Sequence, residues 1–263
     1  MKKVVLSLIL FVVSQLVGSI IGSAIIIVPQ LFVESRVEVS NIIGLYYDNM
    51  GLITILSLII SQVLLIIVLL TTKFFKISDL VAKTPIKIFV VIILFILVSL
   101  FTIDLVSSLL DLPDNNEWLF KEMSNSLLII IPIVLLGPIV EEIVFRKIII
   151  QEFLNMSLKP HISILFSALI FGLIHINPAQ MLFAFAAGLI FGWIYFKTGS
   201  IVPGIIGHII NNSIGVIELR SAKSFNIINQ ADQFFSNPLL LVTFMGSILL
   251  AILLANYIIK YYK

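Results

Sequence analysis

An all-α bundle of about eight membrane-spanning helices is the fold class this sequence predicts, and three observations predict it. Hydrophobic residues fill 60% of the 263 positions and charged residues only 11%, against about 25% charged in an ordinary soluble domain. The mean hydropathy is +1.20. The apolar residues gather into long runs separated by short polar loops, and those loops alternate in charge. A crossing of a hydrocarbon core roughly 30 Å thick takes about 20 residues, so residues 1–263 read as one transmembrane domain with little mass outside the bilayer. The chain has no Cys, which removes disulfides, thiolate zinc sites and a cysteine nucleophile together. The lipid bilayer is the expected surrounding partner, and no nucleic-acid partner is expected.

The first run starts MKKVVLSLIL and continues to about Val33. A secretory signal has an apolar core of about 7 to 15 residues before a small-residue cleavage site, so a retained first helix is expected. Further runs fall at 51–72, 88–110, 127–154, 162–176, 179–197, 200–216 and 238–259. Two of them, 162–176 and 200–216, are short for full spans, which goes with tilt or a dipped loop. Short loops rich in Lys and Arg stay on the cytoplasmic side. Alternating through eight crossings puts Lys2, Lys3, Lys73, Lys76, Lys83, Lys87, Lys159, Lys197, Lys260 and Lys263 together. The opposite loops hold only Arg36, Lys121, Arg220 and Lys223, beside acids such as Glu34, Glu38, Asp111, Asp114, Glu218 and Asp232. The expectation is a multi-pass cell-membrane protein with both termini cytoplasmic. The Ile-, Lys- and Asn-rich usage points to an AT-rich genome and so to a bacterium.

Against this background the polar residues inside the runs form a short set: Asp104, Glu141, Glu142, Arg146, His175, His208, Asn211 and Asn212. A charge at mid-bilayer costs at least about 2.5 kcal/mol, so each needs a partner, a cavity or a function. Within GPIVEEIVFRK, residues 137–147, Glu142 and Arg146 stand four apart on one helix face, while Glu141 is turned about 100° from Glu142. Arg146 can neutralise one glutamate and leave the other free, or both acids can bond it as structural glue. In FGLIH, Phe171 and His175 share a face, and in HIINN, His208 and Asn212 do so by the same step. One histidine on an apolar helix is ordinarily a hydrogen-bonded core residue. Two histidines, an unpaired glutamate and an asparagine, nearly alone in apolar helices, are hard to explain as separate satisfied residues. The catalytic core is expected over about 127–216.

The order EExxxR, FxxxH, HxxxN, flanked by ILFSALIFGLIH, AAGLIFGWIYFKTGSIVPGIIGH and IINN, resembles the CPBP family of intramembrane proteases. That family is also called the CAAX proteases and bacteriocin-processing enzymes, or the Abi family. The resemblance covers roughly residues 132–216; the first hundred and last forty residues share only their apolar helices. Lys147 stands where many members have glycine. The resemblance implies hydrolysis of a peptide bond in a hydrophobic or lipid-modified peptide or membrane protein, with a role in peptide processing or bacteriocin immunity. It implies Glu141 as the base that activates water and His175 as a second holder of that water. His208 and Asn212 would give N–H donors to the oxyanion, and Glu142 with Arg146 would lock the helix. Pro138, one turn before the acids, removes a backbone donor and can bend the helix or be inert.

Members of the family have also been read as metalloproteases. Two His and a Glu suit catalytic zinc, so Glu141, His175 and His208 are the alternative Zn²⁺ ligands. With no HExxH pair and few carboxylates to orient the histidines, a metal-free mechanism with no cofactor is favoured. A proton-coupled transporter and a non-catalytic scaffold are the competing functions. Transporters often carry related halves with interrupted helices, and the first half of this chain has no echo of GPIVEEIVFR or GIIGHIINN. Ala184, Gly188 and Gly192, at four-residue spacing, predict a close helix contact. Phe171 is expected to pack beneath His175, Asp104 to be wet near a helix end, His161 to be interfacial, and Asn211 to bond a neighbouring helix.

Overall fold

A computed structural model describes residues 1–32, 39–81, 84–110, 112–221 and 236–263. Glu34, Arg36, Glu38, Lys83, Asp111, Lys223 and Asp232, which entered the charge reading, lie outside the described residues. Ten helices and no strand occur among the described residues: α1 Lys2–Leu31, α2 Val39–Asp48, α3 Met50–Thr71, α4 Ile86–Ser108 and α5 Glu117–Ser124; then α6 Leu127–Asn155, α7 Pro160–Leu173, α8 Pro178–Thr198, α9 Val202–Arg220 and α10 Pro238–Tyr261.

Seven of these, all but α2, α5 and α7, are long and apolar enough to cross a membrane. The run expected at 162–176 as an eighth span is instead the 14-residue α7, which at 1.5 Å per residue reaches only about 21 Å. Its end is a compact turn. Ile176 there has φ +54°, a conformation that crowds a β-branched residue, and Pro178 opens α8 directly afterwards. The other short run extends to Arg220 and becomes a full-length helix.

Although α7 is short, it reverses the chain, so α1 and α10 both place their terminal ends at the same end of the bundle. Met1 lies against Glu152 and Met156 there. Helix α10 runs antiparallel to α4, with Ile258 against Ile88 and Ile92 and Leu240 and Leu241 against Leu105. At that same end Lys147 meets Asp79 at 2.9 Å, giving its cation a partner just outside the spans. Burial pushes the Asp79 carboxyl up, but the hydrogen bond from Lys147, the Lys76 backbone N–H and both cations outweigh it and hold it below the usual carboxylate range. At the opposite end Arg220 bonds the Ser124 carbonyl.

Small residues decide how closely helices approach in a membrane, where apolar area alone cannot drive association. A side chain on Gly188 or Gly192 would meet Ala168 at 3.1 Å or Ile164 at 2.9 Å, so the glycine spacing read from the sequence is the α7–α8 contact. The central α6 packs its middle against α1, α3, α7 and α9, and Ile143, Val144, Phe145 and Ile149 on it are completely enclosed.

Candidate active site

The site begins with an irregularity in α6. Its backbone is π-helical over Ile130–Leu136 and again over Glu142–Ile150, with one α-helical segment, Gly137–Glu141, between them. In the π register a carbonyl accepts from the N–H five residues on, as Pro132 O does from Gly137. The donor for Ile133 O would be residue 138, which is proline and has no N–H. Asn212 on α9 supplies it instead, its Nδ2 donating to Ile133 O at 2.9 Å. Gln62 on α3 adds a donor to Pro132 O at 3.1 Å. Pro138 thus sits at a change of helical register, and two side-chain amides from other helices stitch it in place. Such π segments are frequent at functional sites.

The register sorts the two glutamates. Glu142 and Arg146 are each 1% exposed and meet at 3.2 Å. The Arg146 guanidinium lies between two rings, 4.4 Å from the centre of Phe171 and 5.3 Å from that of Phe191, so cation–π attraction supplements the ion pair. A Cβ at position 204 would come within 2.7 Å of Glu142 Oε2, so glycine there is what lets α9 pass the buried carboxylate. Glu141 keeps 22% of its side chain exposed. It lines a cavity of about 1270 Å³ together with Gln62, His175, His208 and Asn212. The same cavity extends to Asp114 and Arg220 at the acidic end of the bundle.

His208 stands between the carboxylates. Its Nε2 is 3.6 Å from Glu141 Oε2 and its Nδ1 is 3.6 Å from Glu142 Oε1, while its ring stacks on Phe191 at 5.3 Å. The sequence reading paired Glu141 first with His175; in the fold the close imidazole is His208. His175 follows the last turn of α7 with its ring edge on Phe171. Its Nδ1 lies 2.8 Å from Phe171 O, and a carbonyl only accepts, so Nδ1 carries a proton, and in the neutral ring Nε2 is the acceptor. Phe171 therefore does more than pack beneath His175, since it holds that ring by its carbonyl and Arg146 by its face.

Asn212 has its Oδ1 engaged by Asn211 at 3.3 Å, and with one N–H on Ile133 it keeps one uncommitted donor. Asn211, expected to reach another helix, bonds its neighbour because that acceptor is adjacent. Asp104 is exposed four residues before the end of α4 and lines the cavity, and His161 is exposed at the start of α7. Among the described residues no group of three or more His, Asp or Glu is arranged to hold a metal ion. Glu141, His175 and His208 share the cavity wall.

Gln62 is the residue the sequence reading passed over. The available signal was an amide inside the 22-residue apolar α3, and it is 93% enclosed in the fold.

Residues 123–214, which carry Glu141, His175, His208 and Asn212, match the family described as type II CAAX prenyl endopeptidase Rce1-like. A Bacillus subtilis (strain 168) protein named "Putative membrane peptidase YdiL" is 30% identical over 113 residues, 43% of this chain and 46% of that protein. The match thus spans less than half the length of that relative. No solved structure matches the chain. The matched segment carries Glu141, His175, His208 and Asn212 of the cavity wall, and over it the chain is similar to the CAAX-type membrane endopeptidases.

Proposed function

We propose that the protein is an intramembrane endopeptidase that hydrolyses a peptide bond in a hydrophobic or lipid-modified peptide or membrane protein. The carrying observation is the division between the acids: Glu142 is sealed against Arg146, while Glu141 faces the cavity with His208 beside it. In this reading Glu141 takes a proton from a water held also by the Nε2 acceptor of His175. The resulting hydroxide attacks the carbonyl carbon and the charge moves to the carbonyl oxygen. Once protonated, Glu141 no longer attracts the His208 N–H, which is free to turn to the oxyanion beside the remaining Asn212 N–H. Collapse breaks the C–N bond, and Glu141 returns its proton to the leaving amine. Water reaches this depth through the cavity, and the lysine-rich end of the bundle faces the cytoplasm in a bacterial cell membrane. Cleavage by the purified protein of a quenched fluorescent apolar peptide, in prenylated and unprenylated forms, tests the reading; failure on both would count against it.

The reaction is proposed to need no metal. Prolonged chelation is expected to leave cleavage unchanged, with zinc below one equivalent by elemental analysis. Activity lost to the chelator and restored only by zinc would replace this proposal with a metal-dependent one.

Asn212→Ala is expected to lower kcat about a hundred- to a thousandfold, the effect of losing one oxyanion donor, with KM nearly unchanged. Adding His208→Ala should cost less than the two single effects together, because residues acting as a unit are non-additive. A raised KM at constant kcat would instead make this face a substrate-binding one.

A further inference from the structure

We propose that the substrate reaches Glu141 from the extracytoplasmic side of the membrane, so that the bond cut belongs to an exported polypeptide or to the outward-facing flank of a membrane protein. The proposal rests on the peptidase reading above and names the substrate class for the same site.

Glu141 stands at the midpoint of α6, Leu127–Asn155, about 21 Å from either end at 1.5 Å per residue. Water and a peptide therefore have to come in from one face or the other. Toward the lysine-rich end the way is closed. The turns of α6 after Glu141 carry Ile143, Val144, Phe145 and Ile149, completely enclosed in a core that includes Leu65 and Leu69 of α3. Arg146, 1% exposed, fills the space between Phe171 and Phe191 beside them. Among the described residues, none of the lysines at that end lines the cavity.

Toward the opposite end the way is open. The cavity of about 1270 Å³ runs from Glu141 past Asn212 and Gly215 to Glu218 on α9, and past Asp104 to Ser108 on α4. Glu218 and Ser108 lie in the last turns of those helices. Helix α5 stands at the same end, where Arg220 bonds the Ser124 carbonyl and a Cβ on Gly51 would come within 2.9 Å of Glu122 O.

Charge identifies the two faces. The closed end carries Lys2, Lys3, Lys76, Lys159, Lys197 and Lys260, whereas the described cations at the open end are Lys121 and Arg220, beside Asp114, Glu117, Glu122 and Glu218. Lysine-rich short loops stay in the cytoplasm, so the mouth of the cavity opens outside the cell. A cytoplasmic chain, including one lipid-anchored to the inner leaflet, would have to pass the Ile143–Ile149 core to meet Glu141. A polypeptide at the outer face has only to enter the acidic mouth. The class of step that supplies such a substrate is translocation across the membrane.

The chain has no Cys, so a single introduced thiol reports alone. Gly215→Cys puts one inside the cavity, where a Cβ meets nothing within 4 Å. Ser108→Cys puts one at the mouth and Lys260→Cys one at the closed end. Each full-length variant is treated in spheroplasts with a sulfonated, membrane-impermeant maleimide, and lysed spheroplasts give the reference rate. Gly215→Cys and Ser108→Cys should react before lysis nearly as fast as after it. Lys260→Cys should react at least about tenfold faster after lysis, because a screened thiol is inert and an accessible one is not. In detergent, labelled Gly215→Cys should lose the cleavage of the quenched apolar peptide that the unlabelled variant retains. A Gly215→Cys thiol that is slow in spheroplasts, or a Lys260→Cys thiol that is fast there, overturns the side of access. Labelled Gly215→Cys as active as the unlabelled variant overturns the cavity as the substrate's route. Should Gly215→Cys not fold, Ser108→Cys decides the side by the same labelling criteria. Wild-type protein that cleaves nothing removes the peptidase reading, whereas wild-type protein that cleaves while Gly215→Cys resists the reagent removes only the extracytoplasmic access.

Discussion

Glu141→Gln is expected to abolish cleavage while leaving the folded protein intact, and Glu142→Gln is expected to act through stability. The two residues are adjacent, have the same chemistry and lie on one helix, so composition cannot tell them apart. Their surroundings can. Glu141 opens on the cavity and keeps 22% of its side chain exposed, so an amide there costs little in folding but removes the acceptor for the water proton. Glu142 is enclosed against Arg146, His208 and Gly204, where no substrate atom can reach it. Cleavage per folded molecule, measured after size-exclusion chromatography in detergent, separates the outcomes. Comparable, substantial turnover in both variants would sink the assignment of Glu141 as base.

Breaking the buried pair from one side should produce the largest stability loss in the protein. Arg146→Leu leaves the Glu142 carboxylate without its cation at a site 1% exposed, and removing one partner of such a pair costs about 3 to 5 kcal/mol. The loss should exceed that of Arg146→Lys, whose ammonium keeps the charge but cannot lie flat between Phe171 and Phe191. Combining Arg146→Leu with Glu142→Met removes both charges and should recover a large part of the loss, since apolar residues of similar volume often replace a buried pair at little cost. Unfolding free energies in mixed detergent micelles measure each corner of the cycle. If Arg146→Leu alone cost less than about 1 kcal/mol, the pair would rank with surface ion pairs and would not be what keeps Arg146 away from Glu141.

The i, i+4 relation of Glu142 and Arg146, the turned-away Glu141 and the close glycine face of α8 were legible because they are properties of one helix. So were the all-helical class and the long apolar runs, since run length and hydropathy are local quantities. The count of spans was less legible. The fifth apolar run, 162–176, is short for a full span, as is 200–216, but the sequence does not tell which of the two stays short, and only the fold shows α7 ending after 14 residues at a turn with Ile176 at positive φ.

By itself the sequence determined that this chain is a polytopic helical protein, which of its few polar residues would need explaining, and which of the two glutamates shares a helix face with Arg146. Tertiary structure alone decided that His208 rather than His175 stands beside Glu141, that Asn212 serves a carbonyl orphaned by Pro138, and that Gln62 reaches the same cavity from α3. The reason is physical. A helix sets the spacing of its own side chains through one repeating geometry, but the meeting of atoms from α3, α6 and α9 depends on how closely the helices pack. That closeness is set by Gly137 and Gly204 and by π-helical turns that re-aim α6, and these act between elements, where no period in the sequence records them.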